Sequence, residues 1–209
     1  MKLAIIGASR GIGLQLLKLA LDEGHEVKAM VRNPSRFHLS HARLEIVRGD
    51  ILDPSSVAAT VSGQHAVCLC IGIPPTRQPT MLFSEGARRV LEAMGPASKA
   101  KLVSITGIGA GDSAGHGGFA YDRIFAPLFL RTIDEDKTRQ EELLKASRAN
   151  WMVVRPGFLT NGPRTGMYRV LDNLSGVKAG RISRADIADF ILNQLALPTH
   201  FGKTPLVCY

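Results

Sequence analysis

Cysteine is scarce in this chain, and so are aromatic residues and long apolar runs. Three cysteines in 209 residues are too few for a disulfide framework that replaces a hydrophobic core. Cys68 and Cys70 alternate in Val67-Cys68-Leu69-Cys70-Ile71, so both are expected on one face of a strand as small apolar residues. The six histidines (25, 38, 41, 65, 116 and 200) are scattered, and no Cys/His spacing predicts a metal site. No run reaches the roughly 18 apolar residues of a membrane span. The first apolar stretch is too short for a signal peptide and runs into glycines, so the expected location is cytoplasmic. The net charge is +8, but there is no Lys/Arg tract and little aromatic interleaving, which argues against nucleic acid as the main partner.

What is present reads as globular. The chain is 45% hydrophobic and 21% charged, enough for one well-buried domain over residues 1–209. Apolar runs at 3–6, 27–31, 44–47, 66–71, 101–105, 151–154 and 205–208 predict strands. Helical patterns fall between them at 11–23, 54–61, 80–94, 134–147 and 183–195. Asp53 is placed to cap the second helix, and Gly24 sits just past the end of the first. Continuous apolar strands suit a parallel sheet covered on both faces. The expected fold is therefore α/β, a doubly wound parallel sheet of Rossmann type with helices on both faces. Two segments break the rhythm. Residues 107–133 begin with six glycines between 107 and 118 and continue as an apolar stretch containing Pro127; residues 157–180 are loop-rich with two arginines. Both follow strands ending at the carboxyl edge, where ligands of such folds bind, so both are expected as substrate-side loops and the first as a mobile lid.

The stretch Gly7-Ala8-Ser9-Arg10-Gly11-Ile12-Gly13 joins the first strand to the first helix. Glycines there let backbone approach a pyrophosphate, and the free N–H groups of the helix start favour its charge. At the end of the second strand an NAD-binding chain usually carries an acid for the ribose hydroxyls. Here Arg32 occupies that place and no acid follows closely. A guanidinium forks onto a 2′-phosphate, and Arg10 can approach from the other side, so the expected cofactor is NADP(H). Arg36 is a further candidate. Asp50 is either an adenine contact, with Ile51 packed beside it, or a strand-end turn residue. Gly72 gives room for a ribose, and Thr106 is a hydroxyl candidate near the nicotinamide.

With Val31-Arg32-Asn33-Pro34, Gly49-Asp50-Ile51, Ser84-Glu85-Gly86-Ala87-Arg88, Val154-Arg155-Pro156-Gly157 and Ile182-Ser183-Arg184-Ala185-Asp186-Ile187-Ala188, the chain resembles the short-chain dehydrogenase/reductase superfamily. The resemblance is to its small atypical branch, which includes NmrA-like proteins and the biliverdin reductase B/flavin reductase type. It implies that Gly7, Ser9, Arg10, Gly11, Ile12 and Arg32 contact the cofactor, with Asp50, Gly72 and Thr106 beside them. It also implies that Pro156, Gly157 and Phe158 lie beside the nicotinamide and that residues 184–188 are structural. Many relatives carry Tyr-x-x-x-Lys, whose phenol protonates a carbonyl oxygen. Here Tyr121 is followed by Phe125, and Lys137 is preceded by Ile133 at that spacing, so the pair is missing. Lys137 remains, in Asp136-Lys137-x-x-x-Glu141, either for a ribose or as an i,i+4 partner of Glu141.

Thr106 and Lys137 are thus the catalytic candidates. Tyr121, Arg164 and Tyr168 are the substrate-side ones; Arg155 is either an anion contact or half of a buried salt bridge, and His116 either an acid on a closing loop or an exposed loop residue. The expected activity is NADPH-dependent hydride transfer to a small planar or carbonyl acceptor, such as a flavin or quinone, by a monomer or homodimer. The alternative is a non-catalytic NADP(H) sensor that binds a partner protein. A sugar-nucleotide epimerase or dehydratase is a third reading, which ordinarily needs the tyrosine and a larger C-terminal lobe.

Overall fold

Strand β1 (Lys2–Ile6) is buried along its last four residues, and the sheet extends outward from it on both sides. The structure is a computed structural model describing residues 1–209. Its strands are β2 (Glu26–Val31), β3 (Leu44–Arg48), β4 (Ala66–Leu69), β5 (Lys101–Ile105), β6 (Asn150–Pro156), β7 (Phe158–Thr160), β8 (Arg169–Leu171), β9 (Arg181–Ser183) and β10 (Leu206–Cys208). Its helices are α1 (Gly11–Asp22), α2 (Pro54–Val61), α3 (Leu82–Met94), α4 (Arg131–Ala146) and α5 (Arg184–Ala196). The main sheet has the order β3-β2-β1-β4-β5-β6-β10-β8. It is parallel from β3 to β10, with β8 added antiparallel at the far edge.

Alternation along the strands divides the core. Leu3, Ile5, Cys68, Val103 and Val154 meet α1 and α5 on one face. Ala4, Ile6, Leu69, Leu102 and Val153 meet α2, α3 and α4 on the other. The doubly wound arrangement expected from the sequence is therefore present. Cys68 and Cys70 share the α1/α5 side, and burial pushes the Cys68 thiol up to about 12, as suits an inert core residue. The chain leaves β1 toward β2 and β3 and returns to pair β4 on the other side of β1, which opens a crevice between the carboxyl ends of β1 and β4. Local signals hold where predicted. The Asp53 carboxylate accepts from the Ser55 and Ser56 N–H groups at the start of α2. No helix is long and apolar enough to cross a membrane.

The two segments expected as loops carry more structure than that. In residues 107–133 the glycine stretch contains a short 3₁₀ turn, Gly111–Ser113, and Tyr121–Leu130 forms a wide π-type helix running into α4. The wider turn accommodates Pro127, which has no N–H to donate and whose ring crowds the preceding carbonyls. The glycine stretch is tied down rather than free. Ser113 Oγ donates to the Ala110 carbonyl, Gly111 N–H to Thr138 Oγ1, and Ala179 N–H to the His116 carbonyl. Within residues 157–180 lie β7 and β8, while β9 begins just beyond; β7 and β9 form a separate parallel ribbon. Three-residue strands are too short to show a period in sequence. Edge strand β3 is also wetter than its apolar run suggests, with Ile46 37% exposed.

Phe190 of α5 is 2% exposed and stands edge-on to Tyr168 at 6.0 Å. Phe190→Ala is expected to cost about 3–5 kcal/mol in chemical unfolding. A loss below about 1 kcal/mol would show that this face of the core is not a packed unit.

Candidate functional site

The crevice at the carboxyl edge is a cavity of about 700 Å³, walled by the turns after β1, β2, β3, β4 and β5 and by residues of α4, β7 and α5. Its floor is the glycine turn. A Cβ on Gly13 would collide with the Gly7 carbonyl, so α1 can begin this close to β1 only with glycine there. Arg10 stands at the N-cap in an extended conformation and places no side-chain oxygen on the helix end. The N–H groups of Gly11, Ile12 and Gly13 consequently find no acceptor within the chain. Unpaired donors at a helix start form an anion site.

Arg32, just after β2, and Arg10, on the glycine turn after β1, are exposed and both line the cavity. Arg10 Nη2 donates to the Gly72 carbonyl at 3.3 Å, and neither arginine has a carboxylate within 4.0 Å. Arg36, in the Pro34–Arg36 turn, is not on the wall. Asp50 lines the cavity while one of its oxygens accepts from Leu52 N–H at 2.9 Å. It is a turn residue with its second oxygen uncommitted. Ser9, Ile51 and Gly72 also line the cavity.

At the β5 end the chemistry differs from the simplest sequence reading. The Thr106 hydroxyl donates to Glu141 Oε1 at 2.8 Å, so it is committed within the protein rather than free to serve an acceptor. Lys137 does not pair with Glu141. Its Nζ donates to the Thr106 carbonyl at 2.8 Å and lies 5.2 Å from the Phe83 ring centre. Burial lowers its pKa, against the opposing pull of Asp134 and Glu141. Asp134, one turn earlier on α4, crowds Gly109, and burial pushes its carboxyl up to about 6.

Glu141 is taken by Arg155. Both are 1% exposed, and the guanidinium engages both Glu141 oxygens and also Asp112 of the glycine stretch. The hydrogen bond from Arg155 holds the Asp112 carboxyl below the usual range. A side chain on Gly111 would intrude on this pair at 2.8 Å, and its φ of +55° suits glycine. Arg155 is therefore structural and does not face an acceptor.

Other expected residues lie elsewhere. Arg164 is held by Asp189 at 2.7 Å and by Glu23, away from the cavity wall. Tyr168 donates to the same Asp189 at 2.7 Å and packs on Phe190. The Tyr121 phenol donates to the Ile108 carbonyl and its ring meets Phe158 edge-on, in a small cluster with Leu174 and Leu206. Pro156 and Gly157 are buried at the end of β6, and neither they nor Phe158 line the cavity, whereas Leu159 and Asn161 do. His116 binds the Val177 carbonyl through Nδ1 and is off the cavity. In turn the cavity includes Arg184, which the sequence reading left as structural. No local pattern signals it, because its place depends on α5 lying beside α1.

Residues 7–198 match the model of a family described as NAD(P)H-binding. YwnB, an uncharacterized protein of Bacillus subtilis, is 29% identical over 209 residues, spanning 96% of this chain and 94% of its own. YhfK of the same organism, named an uncharacterized sugar epimerase, is 28% identical, spanning 93% of this chain and 88% of its own. Among solved structures, ChuY of Escherichia coli, described as an anaerobillin reductase, superposes with a TM-score of 0.82 at 23% identity, covering 100% of this chain and 97% of that one.

Removing Glu141 leaves the buried Arg155 with only the exposed Asp112 as counter-charge, and a buried charge that loses its buried partner is costly. Glu141→Ala is expected to destabilise the fold by about 3–5 kcal/mol in urea unfolding. Glu141→Leu combined with Arg155→Met should recover most of that loss. A double variant as unstable as the single one would mean that lost packing, not the stranded charge, sets the cost.

Proposed function

The chain belongs to a family described as NAD(P)H-binding, and we propose that it is an NADPH-dependent reductase of the atypical short-chain dehydrogenase/reductase type, acting on a small planar or carbonyl acceptor, such as a flavin or quinone. One observation carries the reading. A single cavity holds two carboxylate-free arginines, Arg32 after β2 and Arg10 on the glycine turn, and a carboxylate-free, half-buried lysine at its β5 end. The first pair suits a 2′-phosphate and the lysine suits a proton transfer. That the Escherichia coli structure is described as a reductase agrees with this choice.

The residues present fit NADPH. Arg10 and Arg32 bind its 2′-phosphate, and the open N–H groups at Gly11, Ile12 and Gly13 bind its diphosphate. Asp50 accepts from the adenine amino group through its uncommitted oxygen. When bound, the nicotinamide supplies a hydride. The protein's part is then to position, dry and protonate. Ile71, Leu82 and Ile105 exclude water from the β5 end. Lys137 delivers a proton from Nζ to the acceptor, its ammonium held by the Thr106 carbonyl. Thr106 serves through its main chain, since Glu141 occupies its hydroxyl. A flavin or quinone needs less acid assistance than a ketone, which suits a site without the tyrosine–lysine pair.

NADPH oxidation should be detected with at least one acceptor in a panel of flavins, quinones and aldehydes. Tight NADPH binding without any turnover would overturn the reductase reading and leave a nucleotide sensor. Arg32→Asp should raise the NADPH dissociation constant about 10- to 100-fold while changing that of NADH far less. Equal losses would remove the 2′-phosphate role. Lys137→Met should lower kcat by about 10²-fold or more with an acceptor that needs protonation. In the parent protein that kcat should fall as pH rises through the depressed Lys137 pKa, because the donating ammonium is lost. The methionine variant should lack this alkaline limb, and a limb that persists would assign the proton to another group.

A further inference from the structure

The arginines of this chain sort by their partners. Several that tie the fold together carry a carboxylate within 4.0 Å, as Arg155 does with Glu141, Arg164 with Asp189 and Arg139 with Asp136, and others, such as Arg43 and Arg169, hold main-chain carbonyls. Arg184 does neither. It is the first residue of α5, just after Ser183, whose side chain caps that helix. Its Nη1 donates to the Asn161 amide oxygen at 2.8 Å, and no carboxylate lies within 4.0 Å of it. Its Nε is 4.0 Å from where a Cβ of Gly11 would stand, so the guanidinium overhangs the glycine turn.

This placement is electrostatically costly by itself. A guanidinium sits beside the positive end of α1, whose first N–H groups are also unpaired. Both unsatisfied features face one space, and an anion there satisfies both. The only neighbour that constrains the guanidinium is a neutral amide, which orients it without neutralising it. Asn161 reaches it because β7 pairs with β9 in register, Thr160 opposite Ser183, which brings the residues after β7 alongside the start of α5.

We infer that Arg184, oriented by Asn161, is a cofactor-binding residue that closes over the dinucleotide diphosphate from the C-terminal half of the chain. The inference rests on the cofactor reading above and extends it to a different ligand group. Arg10 and Arg32 read the 2′-phosphate and so set the preference for NADPH. Arg184 at Gly11 grips the diphosphate, which every nicotinamide dinucleotide shares, and so sets affinity without preference. An anionic group on the acceptor has the same chemistry, but the diphosphate is favoured because Gly11 belongs to the phosphate turn itself.

The test is a calorimetric titration of the full chain with NADPH, ADP-ribose and 2′-AMP. ADP-ribose has the diphosphate but no 2′-phosphate, and 2′-AMP has the reverse. Arg184→Gln should weaken NADPH and ADP-ribose together by about 10- to 100-fold and leave 2′-AMP unchanged. Arg32→Asp should instead weaken 2′-AMP and spare ADP-ribose. Asn161→Ala keeps the charge and the α5 cap, and should show the Arg184→Gln pattern at smaller size; it also serves if Arg184→Gln fails to fold. Unchanged NADPH and ADP-ribose affinities in a folded Arg184→Gln would overturn the inference, including when the KM of an anionic acceptor rises instead. Parallel loss of 2′-AMP would overturn it too, as general damage to the cleft. A parent protein that binds none of the three would fail the cofactor reading itself.

Discussion

The ion pair between Arg155 and Glu141 ties together four segments of the chain. Arg155 comes from β6, Glu141 from α4, Asp112 from the glycine stretch after β5, and Thr106 from the end of β5. Two charges at 1% exposure are expensive to desolvate, and the arrangement persists because hydrogen bonds to both carboxylate oxygens offset that cost. The consequence is positional. With Glu141 occupied by Arg155 and Thr106, Lys137 one turn earlier on α4 is left without a carboxylate and turns to the Thr106 carbonyl. A structural pair thereby decides which cation faces the cavity.

Charge is distributed by the same logic across the site. The cavity wall carries Arg10, Arg32, Arg184 and Lys137, with Asp50 as its single acid. Away from the wall, Arg155, Arg164 and Arg139 are each matched with an acid. The net charge of +8 comes without a basic tract, and four of the cations line the cavity. The excess positive charge in the cleft suits a phosphorylated dinucleotide better than an extended polyanion.

The N-terminal half was readable because its signals are local. Gly7 to Gly13, the strand before them and the helix after them specify a turn by steric rules that act within a few residues. Asp53 caps α2 for the same reason. The C-terminal half was harder. Strands β7, β8 and β9 have three residues each and are stabilised by pairing with distant chain, so their sequences carry no period. The stretch Tyr121–Leu130 reads as a break because of Pro127, yet it continues into α4 through a wide turn. Arg164 and Tyr168 looked available as polar groups in a loop, and Asp189 of α5 claims both.

By itself the sequence determined the fold class, the phosphate turn and the absence of an acid at the β2 end, because each depends on residue type and short spacing. Tertiary structure alone decided which cations face the ligand. Lys137, Arg155, Arg164 and Arg184 are all plausible from composition, and their roles separate only when burial and partners are known. The physical reason is that a charged side chain is defined by its counter-charge. In this fold the counter-charges lie on elements brought together only when α4 and α5 pack against the sheet.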